Sequence, residues 1–393
     1  MIKKNSIITV ILIISSVINA QDISVYLKQV SENNPEILAY KKLLEARRYE
    51  AKTGLAPSDP YISFGHMPGK GASTGTKKIW SVSQSFSFPT KYLIQNRISR
   101  SNILLAELEF DQVKLMTLLD AEITMFDLIF NEKRLEVLND RKKDYDNLHA
   151  AWEKMIKYGE ASVLDYNKIS MELSSLNLLI IRTKSENTAL RNRLLFVNGN
   201  TSSLPEKIDY PLVDEPDPEI LISEKTAYHP AFIIPEKEYY LVSEEAKLSK
   251  TGSLPEFQIG YGSESTPGET YSGPVAGLSI PLWSNSNRVK MASAMVDHSA
   301  AMRDAELLRL KSEVLNEYLN MKAIKKSMME ISDILVTIEN KKYLDIALIN
   351  GEISLTTYFS DIAVMYQIED RYIELENEYN KSLALLLDYK ILE

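Results

Sequence analysis

Apolar positions recur along this chain with two periods. The first is helical. Leu307, Leu310, Val314, Glu317, Met321, Ile324, Met328, Ile331, Leu335 and Ile338 step alternately by three and four residues, and only Glu317 is polar. Tyr166, Ile169, Leu173, Leu176, Ile180, Thr183, Asn187, Leu190, Leu194 and Val197 do the same, with Thr183 and Asn187 as exceptions. A mean step of about 3.5 residues is the signature of helices that pack as coiled coils. A helix of about 65 to 70 residues, as this pattern predicts, runs on the order of 100 Å. Methionines on these seams read as core filler rather than metal ligands.

The second period is two. Trp80, Val82, Gln84, Phe86 and Phe88 alternate with Ser81, Ser83, Ser85 and Ser87. Ile62 and Phe64 alternate with Ser63 and Gly65; Phe257, Ile259 and Tyr261 with Gln258, Gly260 and Gly262; Ala276, Leu278 and Ile280 with Gly277 and Ser279. The alternation predicts strands at about 60–68, 79–88, 256–263 and 274–281. A soluble sandwich would turn the apolar side to a core, and an outer-membrane barrel would turn it to lipid. Periodicity alone fits either, while strands of about nine to eleven residues suit a membrane span. In the barrel reading Ile62, Phe64, Trp80, Val82, Phe86, Phe88, Phe257, Ile259, Tyr261, Leu278 and Ile280 face lipid. Four strands cannot close a barrel, since about eight is the working minimum. Three copies would supply 3 × 4 = 12 strands.

The two patterns are duplicated. Tyr158-Gly159-Glu160-Ala161-Ser162-Val163-Leu164-Asp165-Tyr166 has a twin in residues 349–358, with Gly, Glu, Ser and Tyr offset by 192 (351 − 159). Earlier matches are offset by 195: Asn34-Pro35 with His229-Pro230, Glu50-Ala51-Lys52 with Glu245-Ala246-Lys247, and Gly65 with Gly260. Each copy has the order helix, two strands, one very long helix, tight tip, return helix. A glycine between helical runs reads as a left-handed C-cap, and a serine three residues later as the next N-cap. The fold class is therefore mainly α with a small β part. Residues 21–198 form the first repeat with its tip at 158–165, residues 199–218 a proline-rich linker, and residues 219–393 the second repeat with its tip at 350–357.

Composition narrows the function. The net charge of −9 gives no reason to expect nucleic acid as a partner, and the absence of cysteine excludes disulfides, thiolate metal sites and cysteine nucleophiles. Residues 1–20, with Lys3 and Lys4 before an apolar run, read as a secretory signal. No later stretch is apolar enough for a transmembrane helix. The sequence carries no P-loop, H-E-x-x-H, G-x-S-x-G or dinucleotide fingerprint, so neither an enzyme nor a cofactor is expected. The four histidines, His66, His149, His229 and His298, are scattered; His149 and His298 read as surface or packing residues and His229 as a helix opener.

The duplicated layout resembles the TolC family of outer-membrane efflux channels over almost the whole mature chain. The resemblance rests on Asn33-Asn34-Pro35-Glu36, on Ser85-Phe86-Ser87-Phe88-Pro89, and on Tyr158-Gly159-x-x-Ser162-x-Leu164-Asp165. The compact length looks like the heavy-metal cation branch. The resemblance implies a homotrimer with a twelve-stranded barrel in outer-membrane lipid and a helical tunnel in the periplasm. It implies an adaptor (membrane fusion) protein and an inner-membrane pump as partners. Gly159, Glu160, Ser162, Leu164, Gly351, Glu352, Ser354 and Leu355 would be the adaptor-docking tips. The family's acidic constriction matches Asp165; in the second copy its positions fall on Thr357 and Ser360, with Asp361 adjacent but out of register. The rival readings are a periplasmic adaptor, which would show one hairpin rather than two, and a structural coiled-coil protein, which would lack the strands.

Overall fold

The computed structural model describes residues 23–70, 75–201, 204, 208–281, 283, 285–337 and 340–392. The signal-like residues 1–20 and Ile338 of the helical seam lie outside them. The elements are α1 (residues 23–33), α2 (Pro35–Glu50), β1 (Tyr61–Pro68), β2 (Thr76–Phe86), α3 (Pro89–Lys157), α4 (Val163–Val197), α5 (Pro218–Tyr228), α6 (Pro230–Thr251), β3 (Glu256–Thr266), β4 (Glu269–Ser279), α7 (Ser286–Thr337), α8 (Asn340–Ile349), α9 (Leu355–Leu387) and a closing 3₁₀ turn, Asp388–Leu392. Two compact units share them: residues 1–39, 113–225 and 311–393 in one, 40–112 and 226–310 in the other.

The first unit is helical and holds both tips. Its α4 buries Ile169, Leu176, Ile180, Thr183, Asn187 and Leu194, all positions of the three-four stripe. Near the tips Leu138 and Tyr145 of α3, Ile169, Leu176 and Ile180 of α4, Leu348 of α8, and Leu355, Tyr358, Phe359 and Ile362 of α9 form one core. The hairpins are thus cemented to each other by the seams that define them. Glu317, the polar member of the α7 stripe, accepts a hydrogen bond from the buried Ser382 hydroxyl of α9. The linker is pinned at two residues of its described end. Its Ile208 and Tyr210 are buried, and the Tyr210 hydroxyl lies 3.2 Å from Asn377 Oδ1. It ends one residue sooner than the proline pattern predicts, because Pro218 already opens α5, where its fixed φ suits the first turn.

The second unit holds the sheet, in strand order β1-β2-β3-β4, antiparallel throughout. Its central pairing joins β2 of the first repeat to β3 of the second, with Val82 opposite Tyr261 and Phe86 opposite Phe257. The strands differ at their ends from the alternation. β2 starts at Thr76, β3 runs to Thr266 and β4 starts at Glu269. These extensions are polar and carry no apolar period to read. Phe88 and Ile280 lie beyond the ends of β2 and β4.

Candidate functional site

The tips are shaped by backbone hydrogen bonds. After α3, Gly159 takes φ +74°. Its N–H donates to Ile156 O at 3.0 Å and that of Glu160 to Met155 O at 2.9 Å. These are the paired bonds of a Schellman cap, which needs a left-handed residue at that position. Ser162 Oγ then accepts from Leu164 N at 3.1 Å and starts α4. The second tip repeats the construction. Gly351 takes φ +73°. Its N–H donates to Leu348 O at 3.1 Å and that of Glu352 to Ala347 O at 2.8 Å. Ser354 Oγ accepts from Thr357 N at 3.1 Å. A Cβ at either glycine would meet nothing within 4 Å, so the requirement for glycine is conformational rather than steric.

Around these turns Gly159, Glu160, Ser162, Gly351, Glu352 and Ser354 are exposed. Leu164 is 78% exposed, with Tyr158 and Ile349 similarly bare. Leu355 differs from the expectation. It is 5% exposed and belongs to the shared core with Tyr358 and Ile362. Its place in the other copy is Val163 (355 − 192), which is exposed. Leu355 therefore holds the hairpins together and leaves the docking set. Of the constriction residues, Asp165 is half-buried in the first turn of α4, and Thr357, Ser360 and Asp361 are exposed on α9. Neither aspartate has an ion-pair partner among the described residues.

Two ties behind the tips escaped the pattern. Tyr358 donates its hydroxyl to Asp345 Oδ1 at 2.8 Å, and burial with that bond raises its pKa far above the usual tyrosine value. Arg141 of α3, almost fully buried, donates to Asp370 Oδ1 and Oδ2 at 2.8 and 3.0 Å and to Glu369 Oε2 at 3.0 Å. Its guanidinium lies 4.1 Å from the Tyr366 ring centre. No local sequence signal marks either pair, because their members are 13 and 229 residues apart.

In the sheet, directly opposed residues share a face. The pairs Ile62–Val82, Phe64–Trp80, Val82–Tyr261, Phe86–Phe257 and Phe257–Leu278, with Ile259 of the same parity, put all nine strand-borne residues of the candidate lipid set on one face. Phe64 is 83% exposed and Ile62 58%. The rings of Trp80 and Tyr261 are 5.9 Å apart. Phe88, past the end of β2, still packs its ring 6.4 Å from Phe257. The other face carries Ser63, Ser81, Ser83, Gln258, Gly260 and Gly262, joined by Ser63–Ser81 at 2.7 Å and Gln258–Ser83 at 2.9 Å. Tyr61, Met67, Tyr271 and Val275 interrupt this polarity. The outer edges of β1 and β4 have no strand partner among the described residues. No described helix is long and apolar enough to cross a membrane.

No protein-family model and no curated protein matches the sequence. Solved structures do match the fold. CusC, described by its transmembrane channel formation, is 13% identical, with a TM-score of 0.79 over 93% of this chain and 92% of its own. A membrane protein from Pseudomonas aeruginosa is 12% identical, with a TM-score of 0.81 over 94% and 90%. The outer-membrane channel OprN is 12% identical, with a TM-score of 0.80 over 94% and 89%. The chain has the fold of these proteins.

Proposed function

We propose that the chain is the outer-membrane channel of a tripartite export system, a passive duct that does no chemistry itself. Three copies close a twelve-stranded barrel, a periplasmic adaptor docks on the exposed tips, and an inner-membrane pump delivers the cargo. Heavy-metal cations are the cargo that the sequence resemblance implies.

The observation that carries this reading is the sheet. One face bears eight exposed large apolar side chains with the half-buried Phe86 beside them, and both outer edges lack strand partners among the described residues. Burying such a side chain is worth about 1.5–3 kcal/mol, so this face is stable only against lipid or a partner. Open strand edges are not tolerated in hydrocarbon, where every backbone N–H must be bonded. Closure with further copies satisfies both demands. The long helices support the same assembly. Beside their internal seams they expose a second stripe, Met171, Leu178 and Ile181 on α4 and Leu308, Leu315 and Leu319 on α7, which suits packing between copies. The likeness in fold to solved outer-membrane channels supports the location.

The test is fractionation followed by mild-detergent extraction. The protein is expected in outer membranes as a heat-resistant species of three chain masses. A monomer released with the soluble periplasm would sink the proposal in favour of an adaptor or a structural coiled-coil protein.

A further inference from the structure

We infer that α7 carries a binding site for a soft monovalent cation, Ag(I) or Cu(I), built from Met295, His298 and Met302. The inference names a cargo class for the duct proposed above and rests on that reading for its purpose; the chemistry of the site stands on the chain alone.

Met291, Met295, His298 and Met302 follow one another at spacings of four, three and four residues on α7. Residues so spaced lie on one helix face, with neighbouring Cβ atoms about 5–6 Å apart. The stripe is not the packing seam of this helix. Continued backwards from Leu307 and Leu310, the seam falls on Arg303, Ala300 and Val296, each one residue away from Met302, Ser299 and Met295. The three methionines are 63%, 48% and 55% exposed, although methionine is among the more often buried residue types. His298 is exposed and has no hydrogen bond or ion pair among the described residues. Both ring nitrogens are open to a ligand.

Met295, His298 and Met302 line a cleft of about 860 Å³ within the second unit, shared with α2, α3 and α6. Glu50, Glu109 and Glu238 also line it, against the single cation Arg47, which pairs with Glu50 at 3.1 Å. The cleft is net acidic and attracts cations. Two thioethers flanking an imidazole are a soft set that favours Cu(I) and its congener Ag(I). Magnesium and calcium want oxygen donors, and structural zinc sites are dominated by thiolates with imidazole. The flexible methionine side chains can swing onto an ion centred at His298 without backbone change. The carboxylates supply attraction, and the sulfur and nitrogen atoms supply selectivity.

The test is equilibrium dialysis of the detergent-purified full chain against silver nitrate in chloride-free buffer, with planar-bilayer conductance measured on the same preparations. The wild type should bind about one Ag(I) per chain at this site. The triple variant Met295→Leu, His298→Leu, Met302→Leu should lose that equivalent while keeping its conductance. A control with Met171→Leu and Met329→Leu, methionines exposed elsewhere at 66% and 61%, should keep it. Equal silver binding by the triple variant and the wild type, or none by the wild type, overturns the site. A preparation that binds silver but never conducts sinks the duct and leaves the site; a conducting one that binds no silver does the reverse.

Discussion

The hydroxyl of Tyr358 in the first turn of α9 donates to Asp345 of α8 at 2.8 Å, beneath the turn that Gly351 makes. The bond closes the second hairpin from inside. Tyr358→Phe removes it while keeping the ring in the core, and leaves a partly buried carboxylate without its donor. The expected cost is about 1–2 kcal/mol, read as a lower thermal midpoint and faster hydrogen exchange in α8. An unchanged exchange rate there would mean the hairpin does not depend on the tie.

Arg141 should matter more. It is buried and satisfies Asp370 in bidentate fashion as well as Glu369. Arg141→Met leaves two partly exposed carboxylates without their donor, and losing hydrogen bonds to charged groups costs about 1.5–3 kcal/mol. Adding Asp370→Asn and Glu369→Gln should recover part of that loss. A double-mutant cycle by denaturant unfolding measures the coupling.

Glu122 predicts a pH dependence. Burial, with the Asp388 charge adding in the same direction, pushes its carboxyl up to about 7. The folded pKa lies above the unfolded one. Its contribution to stability is therefore present below the unfolded value of 4.5 and lost as pH rises through about 7. Glu122→Gln should stabilise the protein by about 2 kcal/mol at pH 8 and leave stability near pH 4 unchanged. Thermal melts across that range check it.

The tips separate folding from function. Gly159→Val and Gly351→Val force a β-branched residue to positive φ, at about 1–3 kcal/mol each, with nothing nearby to clash. Trimers should still assemble, and export should fall with adaptor binding. Normal export by the double variant would show that the tips are not the docking surface.

Much of this architecture was legible because packing is periodic. The α4 stripe is buried at its polar members as well, so the three-four step outweighed residue type at Thr183 and Asn187. Period two placed Ile62, Val82 and Tyr261 on one face before any pairing was known. What escaped depends on contacts distant in sequence. Leu164 and Leu355 look alike beside their glycines, yet the first is bare and the second is locked between hairpins. Glu317 looked like a flaw in its seam until Ser382, 65 residues on, supplied the hydrogen bond. The Met–His stripe on α7 was masked by the stronger signal of the seam one residue away.

The central claim is that β1 of one copy pairs with β4 of the next. The chain has no cysteine, so engineered pairs report without background. Ser63→Cys on β1 would be combined in turn with cysteine at Ser272, Gly273, Pro274 and Val275 on β4. Within one chain these strands are three sheet spacings apart, about 14 Å, beyond disulfide reach. Oxidation in isolated outer membranes should give, for at least one pair, a covalent ladder ending at three chain masses. Failure of every pair to cross-link, with the protein folded in those membranes, would contradict the closed barrel.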